Sequence, residues 1–296
     1  MNNIKISLRN YSKDKERYKK YRKQLLELLN ENNSKLNFDL KIIAAIYDSD
    51  GNNSIDENDD IFSPMRTVIK DDKSYIVISP IIFDFFDRNG EYFLHVCLLH
   101  EFCHIDDLHY IATFPYFKGH TIDSFELNSI KNVNIYTGIL FWTEYYAYSK
   151  TFANFKKFDQ YVSIYDLEKT YTILQNEIAK VKNEEVEDKV VFSAITSVCE
   201  YTHLFAMNLA STKFGDKRKI KDKNKIYDEK IHEIVIGMLE KFSYYANELT
   251  KYRNDNKFVT YLEKLGHYIN FEFNAFFDIK LKKKGKSFGR YIDIED

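Results

Sequence analysis

Turn-forming residues are scarce: three prolines and nine glycines in 296 residues. That scarcity favours long helices joined by few tight turns. Cysteine is equally sparse, at Cys97, Cys103 and Cys199. The first two lie six residues apart on one expected helix, too far apart to bridge without breaking it. An odd count with no pairing framework excludes a disulfide scaffold and fits a reducing compartment. No charge of one sign dominates, since 43 basic and 45 acidic residues leave a net charge of −2. No bulk field therefore selects a nucleic acid or a membrane as partner. The first 23 residues contain no apolar core of signal-peptide length, so a cytoplasmic location is expected. The most apolar stretch, 190–210, is interrupted by Glu200, His203 and Asn208, which points to a buried helix rather than a membrane span. Glycine-rich phosphate loops and nucleophile elbows are missing as well. Aromatic residues are the exception to this austerity, with 23 Tyr and 24 Phe.

Against that background residues 100–104 stand out, reading His-Glu-Phe-Cys-His. On a helix, positions i and i+4 stack on one face, so His100 and His104 can offer two imidazoles to one ion. Glu101 sits beside the first histidine, where a carboxylate can act as base toward an activated water. This is the HExxH arrangement of zinc peptidases, with two ligands and a general base within five residues. The surrounding run 91–109 is helical in period: Leu94, Leu98, Phe102 and Ile105 form an apolar stripe, while His100, Glu101 and His104 share another side. Gly90 allows a clean start near Glu91. Cys103 reads as a small buried filler.

Two histidines do not complete a catalytic zinc site, so a third ligand is required. Glu144, in the helical pattern of 138–155, is the leading candidate. Ala147 one turn later allows close helix approach, and Phe141, Tyr145, Tyr148 and Phe152 supply apolar packing. His109 lies about 140° round the helix from His104. His120 and Asp123, on an expected loop, are the alternative ligands. Asp107, about one turn past His104, is placed to orient a ligand imidazole.

HEFCHIDD followed by TEYYAYSKTFANF resembles the gluzincin metallopeptidases, and within them the group containing anthrax lethal factor and the Pro-Pro endopeptidases. The likeness covers residues 74–155, and the half of the chain that follows is left unexplained by it. The resemblance implies His100, His104 and Glu144 as zinc ligands and Glu101 as base. It also implies an oxyanion-stabilising tyrosine ahead of the ligand glutamate, for which Tyr136 is the candidate; apart from the resemblance, Tyr148 past the glutamate is a second candidate for that role. Three departures accompany the match: Cys103 replaces a glycine, Asp106–Asp107 sits one position nearer the motif, and Tyr136 is one residue further from Glu144.

Elsewhere, 12–31 reads as an amphipathic helix capped by Ser12, with Leu25, Leu26, Leu28 and Leu29 turned inward. Residues 40–48 suit a strand or a helix. Residues 74–83 are the clearest strand, ending at Pro80, and its free edge is expected to take an extended peptide. The segment 48–59 resembles a calcium loop, with oxygen donors Asp48, Asp50, Asn52, Ser54, Asp56 and Asp59; Asn53 stands at the usual glycine position and Asp59 at the usual glutamate. Helices are expected over 159–183, 187–211, 226–253 and 256–281. The basic link at 212–225 and the lysine cluster from Lys280 to Lys286 read as solvated segments. The spacings Glu200/His203 and Glu229/His232 suit a dinuclear bundle, but Glu229 and His232 fall off the apolar stripe and are expected to face water, with Glu200 and His203 a buried pair.

The expected fold is therefore α+β and predominantly α. A zincin-like catalytic region, 1–155, with a small sheet precedes a helical bundle, 156–296, that packs separately or as one unit with it. The expected function is that of a zinc metallopeptidase holding one zinc ion, with calcium as a second possible ion and a peptide or protein as substrate. The competing expectation is a helical protein-interaction module carrying an inactive or structural metal site.

Overall fold

The computed structural model describes residues 5–9, 23, 26–28, 31, 42–47, 65–70, 73–78, 91–117, 125–155, 162–184, 186–215, 226–285 and 287–292. Its fold is α+β with helix predominating. The chain divides into two compact units, Met1–Asp123 and Ser124–Asp296. Helix 138–155, which the sequence groups with the motif helix, thus belongs to the second unit. The calcium-like segment, from Asp48 to Asp59, and the alternative ligands His120 and Asp123 lie outside the described residues.

The first unit contains four strands, β1 (Lys5–Arg9), β2 (Ile42–Tyr47), β3 (Met65–Lys70) and β4 (Lys73–Ile78), and the helix α1 (Glu91–Ala112). The sheet order is β1-β2-β4-β3. Strands β1, β2 and β4 run parallel, with Ile43 opposite Lys5 and Ala44 opposite Ile76. Strand β3 is antiparallel to β4, with Thr67 opposite Ile76. Of the ambiguous segment 40–48, the described residues 42–47 form a strand, and an interior one. The expected free edge of 74–83 is corrected: β4 is paired on both sides, and the terminal strand next to it is β3. β4, which follows β3 closely in the chain, runs back antiparallel along it, so that side of β4 is occupied. Helix α1 packs on β3, and its stripe of Leu94, Leu98, Phe102 and Ile105 is buried as the 3.6-residue period requires. Of the 12–31 segment, the described residues Lys23, 26–28 and Glu31 are helical.

The second unit is built from α2 (Ile130–Asn154), α3 (Ile164–Asn183), α4 (Asp188–Phe214), α5 (Glu229–Lys251) and α6 (Lys257–His267). Local chemistry sets several starts. Ser129 caps α2 by accepting from the Asn132 amide, Ser163 and Asp166 form a reciprocal capping box on α3, and Asp228 accepts from the amides of Lys230 and Ile231. The core is aromatic: Phe242 stacks on Phe141 at 4.6 Å between centroids and meets Phe205 at 4.9 Å and Phe273 at 5.5 Å. Helix α4 is long and apolar enough, by length and composition, to cross a membrane. Its buried face packs Val198, Tyr201, Phe205, Ala206 and Ala210 within this unit.

The expected helix 256–281 ends early. After α6 the backbone widens into a π-turn, Tyr268–Phe273, tightens over Asn274–Phe277, and reverses at Asp278 (φ 52°) into a hairpin of β5 (Ile279–Lys284) and β6 (Ser287–Ile292). The π-turn carries Asn270, whose amide donates to Asn134 Oδ1 at 2.9 Å and whose Oδ1 accepts from Arg290 at 3.0 Å. This long-range pairing, rather than local propensity, favours the break. The lysines of β5 thus belong to a strand rather than a tail.

Helices α2 and α6 touch backbone to backbone through two glycines. A Cβ on Gly138 would sit 2.1 Å from the Leu262 carbonyl oxygen, and one on Gly266 would sit 1.7 Å from that of Asn134. Gly138→Ala and Gly266→Ala should each destabilise the protein by about 1–3 kcal/mol, since neither neighbouring backbone can yield freely. Gly237 in α5 meets nothing within 4 Å, so Gly237→Ala should stabilise by about 0.8–1 kcal/mol through helix propensity alone. Urea unfolding of the three variants checks both signs.

Candidate metal site

Helix α1 forms because its apolar stripe has a sheet to cover, and the same register fixes where the polar motif lies. His100 and His104 are one turn apart, and their Nε2 atoms are 3.0 Å apart with the rings at 80° to one another. Two nitrogens bound to one tetrahedral zinc at about 2.0–2.1 Å would be separated by about 3.3 Å. The imidazoles are thus paired at nearly the spacing that a shared ion demands. His104 is buried and His100 half-buried.

Glu101 is buried on the same helix, and its Oε2 accepts from the Thr67 hydroxyl at 2.9 Å. The Glu101 main-chain oxygen lies 3.0 Å from that same hydroxyl. Asp107, three residues past His104, is fully buried, and Asp106 beside it is buried as well. His109 is engaged elsewhere: its Nε2 lies 2.9 Å from the Oγ of Ser74, a buried residue of β4. This bond follows from the 140° offset that separates His109 from the motif face. Cys103 is buried, and the three cysteines form no disulfide. Burial, reinforced by the negative Glu101, pushes the Cys97 thiol up to about 12.

In the second unit Glu144 is half-buried in the middle of α2, flanked by the buried Thr143 and Tyr145. Tyr148, four residues on, lies about 40° from Glu144 around the helix, whereas Tyr136, eight residues before, lies about 80° away. Both tyrosines are half-buried. The Tyr148 ring packs against Phe152 at 6.4 Å. A cavity of about 760 Å³ in this unit is lined by Tyr145, Val162, Asn208, Leu239 and Ser243 among others, and by none of the expected site residues.

The dinuclear spacings resolve differently from expectation. Glu200 is exposed and His203 half-buried, so they are no buried pair. His232 does not simply face water: its Nδ1 lies 2.5 Å from Oε1 of Glu168, a fully buried carboxylate that also accepts from the Tyr227 amide at 2.6 Å. Nothing local signals this contact, because Glu168 lies 64 residues away on α3. Thr67 likewise carried no signal in the sequence, its strand having no recognisable pattern.

Comparison with protein-family models, curated proteins and solved structures yields no match.

A thiol held near 12 is almost wholly protonated at pH 8, and only the thiolate attacks disulfides. Cys97 should therefore react slowly with an aromatic disulfide reagent in the folded protein and rapidly in denaturant. Fast labelling of native Cys97, located by peptide mass mapping, would contradict a thiol pKa raised to about 12.

Proposed function

We propose that this chain is a zinc-dependent metallopeptidase with a zincin-like core, in which His100, His104 and Glu144 hold one zinc ion and Glu101 is the general base. The observation that carries the reading lies within the first unit: the Nε2 atoms of His100 and His104 are 3.0 Å apart on α1, with the buried Glu101 beside them. Two imidazole nitrogens and a carboxylate oxygen are the donor chemistry of catalytic zinc, which keeps a fourth position for water or substrate. A zinc ion held there supplies a Lewis acid that polarises the peptide carbonyl and acidifies water.

The chain's own residues do the rest. The Glu101 carboxylate takes a proton from the attacking water and returns it to the departing amine, so that the amide nitrogen leaves neutral. Burial of Glu101 keeps bulk water from competing for that proton. Tyr148 is the better placed of the two tyrosines to donate to the developing oxyanion, because it shares the Glu144 side of α2 more closely than Tyr136 does. Asp107 orients an imidazole of the motif from within the buried side of α1. The substrate is an extended peptide, for which the terminal strand β3 beside α1 offers backbone donors and acceptors.

Metal analysis of the purified protein should give one zinc per chain, and His104→Ala and Glu144→Ala should both lose it. Glu101→Gln should keep the zinc and lose cleavage of a quenched-fluorescent peptide library by several orders of magnitude. Cleavage undiminished in Glu101→Gln rejects the assignment of base. Stoichiometric zinc with no peptide cut by the wild type leaves the protein-interaction reading in its place.

A further inference from the structure

We infer that Thr67 is a positioning residue for Glu101, holding the carboxylate in the rotamer that proton transfer needs; this rests on the reading of Glu101 as general base. The two residues are 34 positions apart, on β3 and α1, and meet through one hydroxyl. Thr67 Oγ1 lies 2.9 Å from Glu101 Oε2 and 3.0 Å from Glu101 O. A hydroxyl has one proton to give, so the two acceptors share it in a three-centre bond that ties side chain and main chain of the same residue to the sheet. A glutamate has three rotatable side-chain bonds, and a single fixed oxygen at its end removes most of that freedom.

The support behind the hydroxyl is rigid. Strand β3 is registered on β4 by a continuous antiparallel ladder in which Thr67 faces Ile76, and Ile76 is fully buried. Threonine is also stiff about its first side-chain torsion, because two heavy atoms branch from Cβ. The bond is made in a buried setting: Glu101 is 8% exposed. There a hydrogen bond to a charged acceptor is strong and any replacement by water is poor. None of this is needed for α1 to dock, since the apolar stripe and the Ser74–His109 contact already join helix to sheet. The hydroxyl is spent on the motif glutamate specifically.

The test uses the full-length zinc-loaded protein with Thr67→Val, which keeps the shape and removes the hydroxyl, and Thr67→Ser, which keeps the hydroxyl and removes the methyl. Thr67→Ala replaces the valine variant if that one does not fold. The probe is the most rapidly cut member of a quenched-fluorescent peptide library. Thr67→Val should retain stoichiometric zinc and wild-type KM while kcat falls about 10–100-fold, the range seen when an orienting partner is removed from a metal site; Thr67→Ser should recover most of it. Wild-type kcat in Thr67→Val, or a serine variant as slow as the valine one, overturns the inference. Crystal structures of the same variants decide it independently of any substrate. A Glu101 carboxylate displaced in Thr67→Val and restored in Thr67→Ser supports the assignment, and one that does not move overturns it. If the wild type cuts no peptide, the peptidase reading fails, and the two structures still settle whether Thr67 positions Glu101.

Discussion

Burying charge on α1 is the constraint from which the rest of the first unit follows. Glu101, His104, Asp106 and Asp107 are all buried on a helix whose other positions are largely apolar. Taking a carboxylate from water costs several kcal/mol unless partners replace the solvent. A protein gains nothing in stability by placing three carboxylates and an imidazole within about two turns of helix. The zinc site proposed above would account for their presence beside the paired imidazoles. The Thr67 hydroxyl on Glu101 is one of the partners that make the burial tolerable, and the Ser74 hydroxyl on the half-buried His109 adds a second tie between sheet and helix.

The sheet supplies those partners because of its connectivity. Parallel strands β1, β2 and β4 set a frame, and β3 returns antiparallel at the side on which α1 packs. A strand in that position presents alternate residues to the helix and leaves its outer backbone for an incoming chain. Thr67 faces the helix in this alternation. A one-residue slip of register would turn it away and remove its bond to Glu101, so the site depends on a pairing whose strength lies in Ile76 and Ile78.

The second unit solves a different problem, which is how to pack long helices with almost no turn-forming residues. Aromatic rings fill its centre, and two glycines permit direct backbone contact between α2 and α6. Close approach there fixes α2, the helix that carries Glu144, Tyr148 and Tyr136. A buried polar network around Asn270 and Arg290 then fixes the π-turn at the end of α6, and the hairpin beyond it contributes that arginine. The high aromatic content is explained by this core.

What the sequence determined by itself is local. The period of α1 and its four buried apolar residues were readable, and so was the pairing of His100 with His104, because both follow from 3.6 residues per turn. The later helices were readable as helices but not their starts: α3 begins at Ile164 rather than 159 and α5 at Glu229 rather than 226, where Ser163 and Asp228 cap them. The predominance of helix over sheet followed in the same way. Tertiary structure decided what depends on residues far apart. It put β4 inside the sheet instead of at its edge, brought Thr67 to Glu101, drew His232 to Glu168, and ended the last helix in a π-turn and hairpin instead of letting it run to 281. Each of these arises from a partner tens of residues or more away, and no periodicity or cap encodes such a partner. Hydrogen bonds across the fold are selected only once burial has removed water as the competing partner.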